Sequence, residues 1–142
     1  MLVRCLYASR VTTPLDAARV DAIVTQSQRN NPPRGITGLL CHADGIFIQV
    51  LEGGRDEVSD LFTTIVRDDR HNGVRLLSFA EIPERRFGHW TMGRVDFARV
   101  NASLLLKYSV RPGLDPFTAP ATATLALLDE LVATGSIIGR AG

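Results

Sequence analysis

Gln49 stands inside the run "GIFIQVLEGG", Gly45 to Gly54, between Ile46, Phe47 and Ile48 on one side and Val50 and Leu51 on the other. A carboxamide has a donor end and an acceptor end, and in an apolar strand each needs a partner or free energy is lost. Backbone, a side chain or a bound molecule could supply it. Tyr7, in "LYAS", is a strand residue with a proton to give, although a lone strand tyrosine is ordinarily a half-buried packing residue. The remaining candidates for chemistry do not assemble. His42, His71 and His89 are scattered, with no HxxxH, HExxH or CxxC spacing, so no metal site is expected. The glycines of "RGITGLL" precede a strand rather than a helix and do not form the dinucleotide fingerprint, and there is no Walker loop. No nucleophile-base motif is present. Cys5 and Cys41 lie in apolar strand-like runs and read as inert core thiols.

The elements that must position Gln49 and Tyr7 follow from periodicity. Leu2 to Ala8 alternates as a strand, with Val3, Cys5 and Tyr7 on one face and Leu2 and Leu6 on the other. "TTPLDAARVDAIVTQSQRNN" reads as a helix, capped by Thr before Pro14, with Leu15, Ala18, Ala22, Ile23 and Gln26 at helical spacing. Pro32 and Pro33 stop it, and Pro32 is expected to push Asn31 into an extended conformation. "GITGLLCH" and "IFIQVLEG" form a hairpin through "ADG". "RDEVSDLFTTIVRDD" is a second amphipathic helix with Val58, Leu61, Phe62 and Ile65 inward. "VRLLSFAEI" is a fourth strand, and "WTMGRV" supplies a fifth after "PERRFGHW", whose Arg85 and Arg86 are expected to be solvated.

The order β-α-β-β-α-β-β predicts an α+β, ferredoxin-like sandwich over residues 1–97. Residues 98–142 form a C-terminal extension: a short helix capped by Asn101, the turn-rich linker "VRPGLDPFTAP", and the amphipathic helix "TATLALLDELVAT" with Leu125, Leu128 and Val132 aligned. Both helices of a ferredoxin-like fold cover one sheet face. Ile46, Ile48 and Val50 point to the other, where the C-terminal helices are the expected cover and a subunit interface is the alternative.

The chain has 142 residues, 45% of them hydrophobic and 22% charged, enough for a core without disulfides. Its net charge of +1 gives no argument for nucleic acid or a membrane surface. Two cysteines fit a reducing cytoplasm better than a disulfide scaffold. The N-terminus is too short and too broken by arginine to be a signal peptide, and no apolar run approaches a membrane span.

Taken in order, "LYAS", "NNPPRGITGLL", "FIQVLEG", "RDDRH" and "ERRFGHWTMG" resemble the BLUF domain, the blue-light sensor that uses FAD. Each motif alone is weak, and the ordered set is specific. The resemblance implies a photoreceptor rather than an enzyme, with non-covalently bound FAD and FMN or riboflavin as possible substitutes. It implies that Tyr7 is the electron and proton donor, that Gln49 lies between it and the flavin, and that Trp90 and Met92 are the mobile pair of the fifth strand. Asn31 would bond the pyrimidine edge of the ring, with Ser27 and Asn30 beside it. Ile23, Leu39 and Ile65 would form apolar walls. A position that is often arginine in relatives is Thr64 here. Asp68 is kept, and Arg67, Arg70 and His71 are the candidates to replace the missing contact. Short proteins of this kind act on a separate signalling partner and assemble into homo-oligomers. A light-insensitive protein-binding module on the same scaffold is the alternative function. A small hydrolase on a ferredoxin-like fold would need a phosphate loop, for which "SRVTTP" is a poor candidate.

Overall fold

A computed structural model of the chain describes residues 1–11, 17–43, 45–69, 71–88, 92–113 and 115–134, with the backbone alone for Ala17 and His71. The elements are β1 (Leu2–Val11), α1 (Ala17–Asn30), β2 (Thr37–Ala43), β3 (Ile46–Gly54), α2 (Arg55–Arg67), β4 (His71–Ile82), β5 (Gly93–Asp96), α3 (Ala102–Tyr108) and α4 (Ala121–Ala133). Short 3-10 turns at Pro32–Arg34 and Phe97–Arg99 follow α1 and β5.

The strands form one sheet in the order β4-β1-β3-β2-β5. The first four pair antiparallel, the ferredoxin-like arrangement expected, and β5 adds in parallel to the free edge of β2. β1 and β3 occupy the centre and place Tyr7 directly opposite Gln49. The ladder from β1 to β4 shifts register between Leu6 and Tyr7, an irregularity that sits beside Tyr7. Gly38 is required on β2 because a Cβ there would run into the carbonyl of Val50.

Alternation divides the apolar residues between two cores. Val3, Cys5, Tyr7, Leu40, Phe47 and Leu51 pack under α1 and α2, against Val20, Val24 and Val58. Leu6, Ala8, Leu39, Cys41, Ile48 and Val50 face the other way. There they are covered by Leu105 of α3 and by Leu127, Leu128 and Leu131 of α4, with Val95 and Phe97 at the β5 edge. The C-terminal helices thus dry the second sheet face, which is why β3 reads as apolar on both sides.

Several local expectations need correction. Asn31 is helical rather than extended, at φ −74° and ψ −40°. Its amide donates to Ser27 O (2.8 Å), and its own carbonyl accepts from Arg34 N and Ile36 N (both 3.0 Å). Three backbone bonds outweigh the steric bias that a following proline imposes. In α1, Ala18, Ala22 and Gln26 are exposed, and Val20, Ile23 and Val24 form the inward stripe. The larger branched side chains bury more apolar area than the alanines and so set the rotation of the helix. In α4 the buried line is Thr124, Leu127, Leu128 and Leu131, flanked by Leu125 and Val132. β5 starts at Gly93, so Met92 immediately precedes the strand. The expected cap before Pro14, with Leu15, lies outside the described residues, as does Trp90. Asn101 caps α3 as expected, its Oδ1 accepting from Ser103 N at 2.8 Å.

Candidate functional site

A cleft opens between α1 and α2, with β1, β2 and β3 as its floor. It holds about 740 Å³ of space not filled by atoms, part of it open solvent. Its walls are Ile23, Leu40, Leu61 and Ile65, and its polar lining is Tyr7, Gln26, Ser27, Asn30, Asn31, Arg34, Gln49, Thr64 and Asp68. Both helices contribute their C-terminal halves.

Tyr7 and Gln49 meet at the floor. The Tyr7 hydroxyl donates to Gln49 Oε1, and Gln49 Nε2 lies 3.4 Å from Met92 Sδ, which accepts from it. All three side chains are buried. Side chains, not backbone, therefore satisfy both ends of the amide. One partner is itself a proton donor, and the other is a thioether, a weak acceptor that gives up a hydrogen bond at low cost. Burial, reinforced by Cys5 and Asp68, holds the Tyr7 phenol above its ordinary pKa, so it stays protonated. The Tyr7 ring packs edge-on to Phe62 of α2, 5.6 Å between centroids.

Asn31 is 2% exposed, fixed at the end of α1 by the turn that follows. Ser27 sits one turn before it and Asn30 immediately before it, both lining the cleft. Ile23, Ile65 and Asp68 also reach the cleft. Leu39 does not. It lies in the core under α3 and α4, and its neighbour Leu40 takes the wall position, because successive strand residues face opposite sides. Arg67 is exposed and is not part of the lining. Arg70 and Trp90 are outside the described residues, and His71 is described only as backbone. Thr64 lines the cleft, and its hydroxyl donates to Asp60 O at 3.1 Å.

Sequence reasoning missed Arg34, the one cation in the described lining. It also missed Glu52, a carboxylate with no exposed surface. Glu52 accepts from Arg4 Nε (2.8 Å), Arg86 N (2.9 Å) and Phe87 N (2.6 Å). Its signal was in plain sight, an acid following the apolar run that holds Gln49. Arg85 and Arg86 are not merely solvated. Arg85 donates to Gly35 O (2.7 Å), Thr37 Oγ1 (2.9 Å) and Glu52 O (3.1 Å), and Arg86 pairs with Asp129 of α4 (2.8 Å).

The comparisons with known proteins agree with this geometry. The pattern of one family, described as sensors of blue-light using FAD (BLUF), matches residues 2–93. The photoactivated adenylate cyclase subunit beta of Euglena gracilis is 36% identical over 92 residues, which is 64% of this chain and only 11% of the cyclase subunit. The solved photo-activated state of BlsA superposes with a TM-score of 0.83 at 27% identity, covering 100% of this chain and 99% of that one. The dark state of BlrB, a BLUF protein, gives 0.77 at 29% identity, covering 94% and 96%. No helix among the described residues is long and apolar enough to cross a membrane. A ferredoxin-like sheet with an added parallel strand, a tyrosine bonded to a buried glutamine beneath a two-helix cleft, and the family match over residues 2–93 lead to one identification: the chain belongs to the BLUF family of blue-light sensors.

Proposed function

We propose that the chain is a reversible photoswitch in which residues 1–97 bind FAD non-covalently and residues 98–142 carry the output. The cleft suits an isoalloxazine ring: apolar walls for its dimethylbenzene end, and Asn31, Gln49 and Ser27 for its carbonyl and ring-nitrogen edge. FMN and riboflavin share that ring and are candidate substitutes. When bound, the flavin supplies a blue-light chromophore that takes and returns one electron and one proton.

Tyr7 is the proposed donor. It gives up an electron and its hydroxyl proton, and recovers both as the cycle closes. Loss of that proton removes the bond to Gln49 Oε1, so the carboxamide rearranges and exchanges the end it presents to the cleft. Met92 is the group that feels this first, because Gln49 Nε2 bonds its sulfur. β5 begins at the next residue, and Val95 and Phe97 pack against the residues of α3 and α4. We infer that the output is a change in how this end of the molecule binds a separate signalling protein, a population shift between two packings that the partner distinguishes. A homo-oligomer and a reducing cytoplasm are part of the same reading; both cysteines are free and buried.

The observation that carries the proposal is the Tyr7–Gln49–Met92 relay on the floor of the cleft. The test is an absorption spectrum of purified protein before and after blue light, followed through dark recovery. The expected result is a flavin spectrum with a small reversible red shift, absent in Tyr7→Phe and in Gln49→Leu although both still bind flavin. A normal photocycle in Tyr7→Phe would overturn the assignment.

A further inference from the structure

The segment 85–88 and Met92, which follows it after residues 89–91, are each tied to β3. Met92 takes the bond from Gln49, and Arg86 and Phe87 give their amides to Glu52, three residues further along the same strand. The two ties differ in strength. Glu52 is fully buried and also holds Arg4, so its end is fixed by charge-assisted bonds. The Met92 end rests on neutral bonds only, the Gln49 amide on its thioether and the Gln28 amide on its carbonyl (3.2 Å).

From the fixed end, two groups reach α4. The Phe87 ring is buried among the residues that pack on Leu127, Leu128 and Leu131. The Arg86 guanidinium crosses to Asp129 at 2.8 Å. That pair is half-exposed, 51% on Arg86 and 38% on Asp129, so solvent screens it and it opens at low cost. Asp129 is also only partly satisfied, because its Oδ1 is buried with no hydrogen-bond partner among the described residues. A carboxylate with one weak partner and one orphaned oxygen is easily re-paired.

We propose that the Arg86–Asp129 pair is the latch through which a rearrangement at Gln49 reaches α4, with Glu52 as the positioning residue that holds the segment in register. A displacement of Met92 is passed along the chain to the segment, which Arg86 and Phe87 anchor at Glu52. The strain is relieved at the weakest contact, the ion pair to α4. The inference rests on the photoswitch reading above and names its route of output.

The experiment is hydrogen exchange of α4 amides, in the dark and under blue light, on the flavin-loaded full chain. Wild type should exchange faster in the light, by up to roughly fivefold, the worth of one exposed ion pair. Arg86→Ala and Asp129→Ala should keep the red shift, but their α4 should exchange at the light rate in both conditions. The charge-reversed pair Arg86→Asp with Asp129→Arg should restore the difference. A merely structural pair would change exchange equally in dark and light. The inference is overturned if the single variants keep the wild-type light-dark difference in α4, or if wild type shows a red shift and no difference. A wild type without a red shift removes the photoswitch reading itself, and this inference with it.

Discussion

Gln49 and Glu52 are both buried on β3, and they are satisfied in opposite ways. Glu52 meets a guanidinium and two backbone amides, all of which keep their hydrogens under any condition a cell offers. Gln49 meets a phenol that can lose its proton and a sulfur that bonds weakly. The first arrangement makes a pin, and the second suits the switch proposed above. The difference lies in the partners, because an amide and a carboxylate of similar size occupy equivalent backbone on one strand. A buried polar group marks function when its partners can change state, and marks structure when they cannot.

Substitutions at the two positions separate these roles. The largest effect on stability is expected at the pin. Glu52→Leu strands the Arg4 guanidinium and two amides, and should cost about 3–5 kcal/mol, read by chemical denaturation. Gln49→Leu leaves only the Tyr7 hydroxyl without its acceptor and should cost about 1–3 kcal/mol, while the red shift is lost entirely. If Gln49→Leu proves the more destabilising of the two, the distinction between pin and switch collapses. Met92→Leu conserves volume and should cost less than about 1.5 kcal/mol, yet it removes the sulfur acceptor and should change the dark-recovery rate. An unchanged recovery rate would take Met92 out of the relay.

The smallest effect concerns His42, on the same sheet face but away from the switch. Burial holds its imidazole below the ordinary value of 6.5, Arg94 adds to this, and Asp96 and Asp21 oppose it. Its Nε2 is buried without a hydrogen-bond partner among the described residues. Protonation therefore favours the unfolded chain. Stability should be full above pH 6.5 and fall as pH drops below it, down to the folded-state pKa. His42→Phe should flatten that slope, measured as thermal midpoint against pH. A slope unchanged in the variant would assign it to other groups.

Much of this architecture was legible beforehand. Alternation separates Tyr7 from Leu6 in β1 and Gln49 from Ile48 and Val50 in β3, and the family resemblance sets Tyr7 beside Gln49. The two-sided apolar strands called for a cover, and the tail contained helices able to supply it. The ordered motifs pointed to the cleft residues. The errors share a cause. The sequence points Leu39 into the cleft in place of its neighbour Leu40, because a strand's period tells which residues share a face but not which face is which until another strand fixes it. Asn31 was read from the proline after it, when the bonds that set its conformation come from Ser27, Arg34 and Ile36. Arg85 and Arg86 read as solvated because their partners, at 35, 37, 52 and 129, are distant in sequence.

By itself the sequence determined the order of elements, the faces of the strands and the family, because these depend on local periodicity and on residue types in a fixed order. Tertiary structure alone decided that Met92 takes the other end of the Gln49 amide, that Glu52 is a pin, and that Arg86 reaches α4. Each of those joins residues more than thirty positions apart, and a hydrogen bond is set by distance and direction in space, which no local pattern encodes.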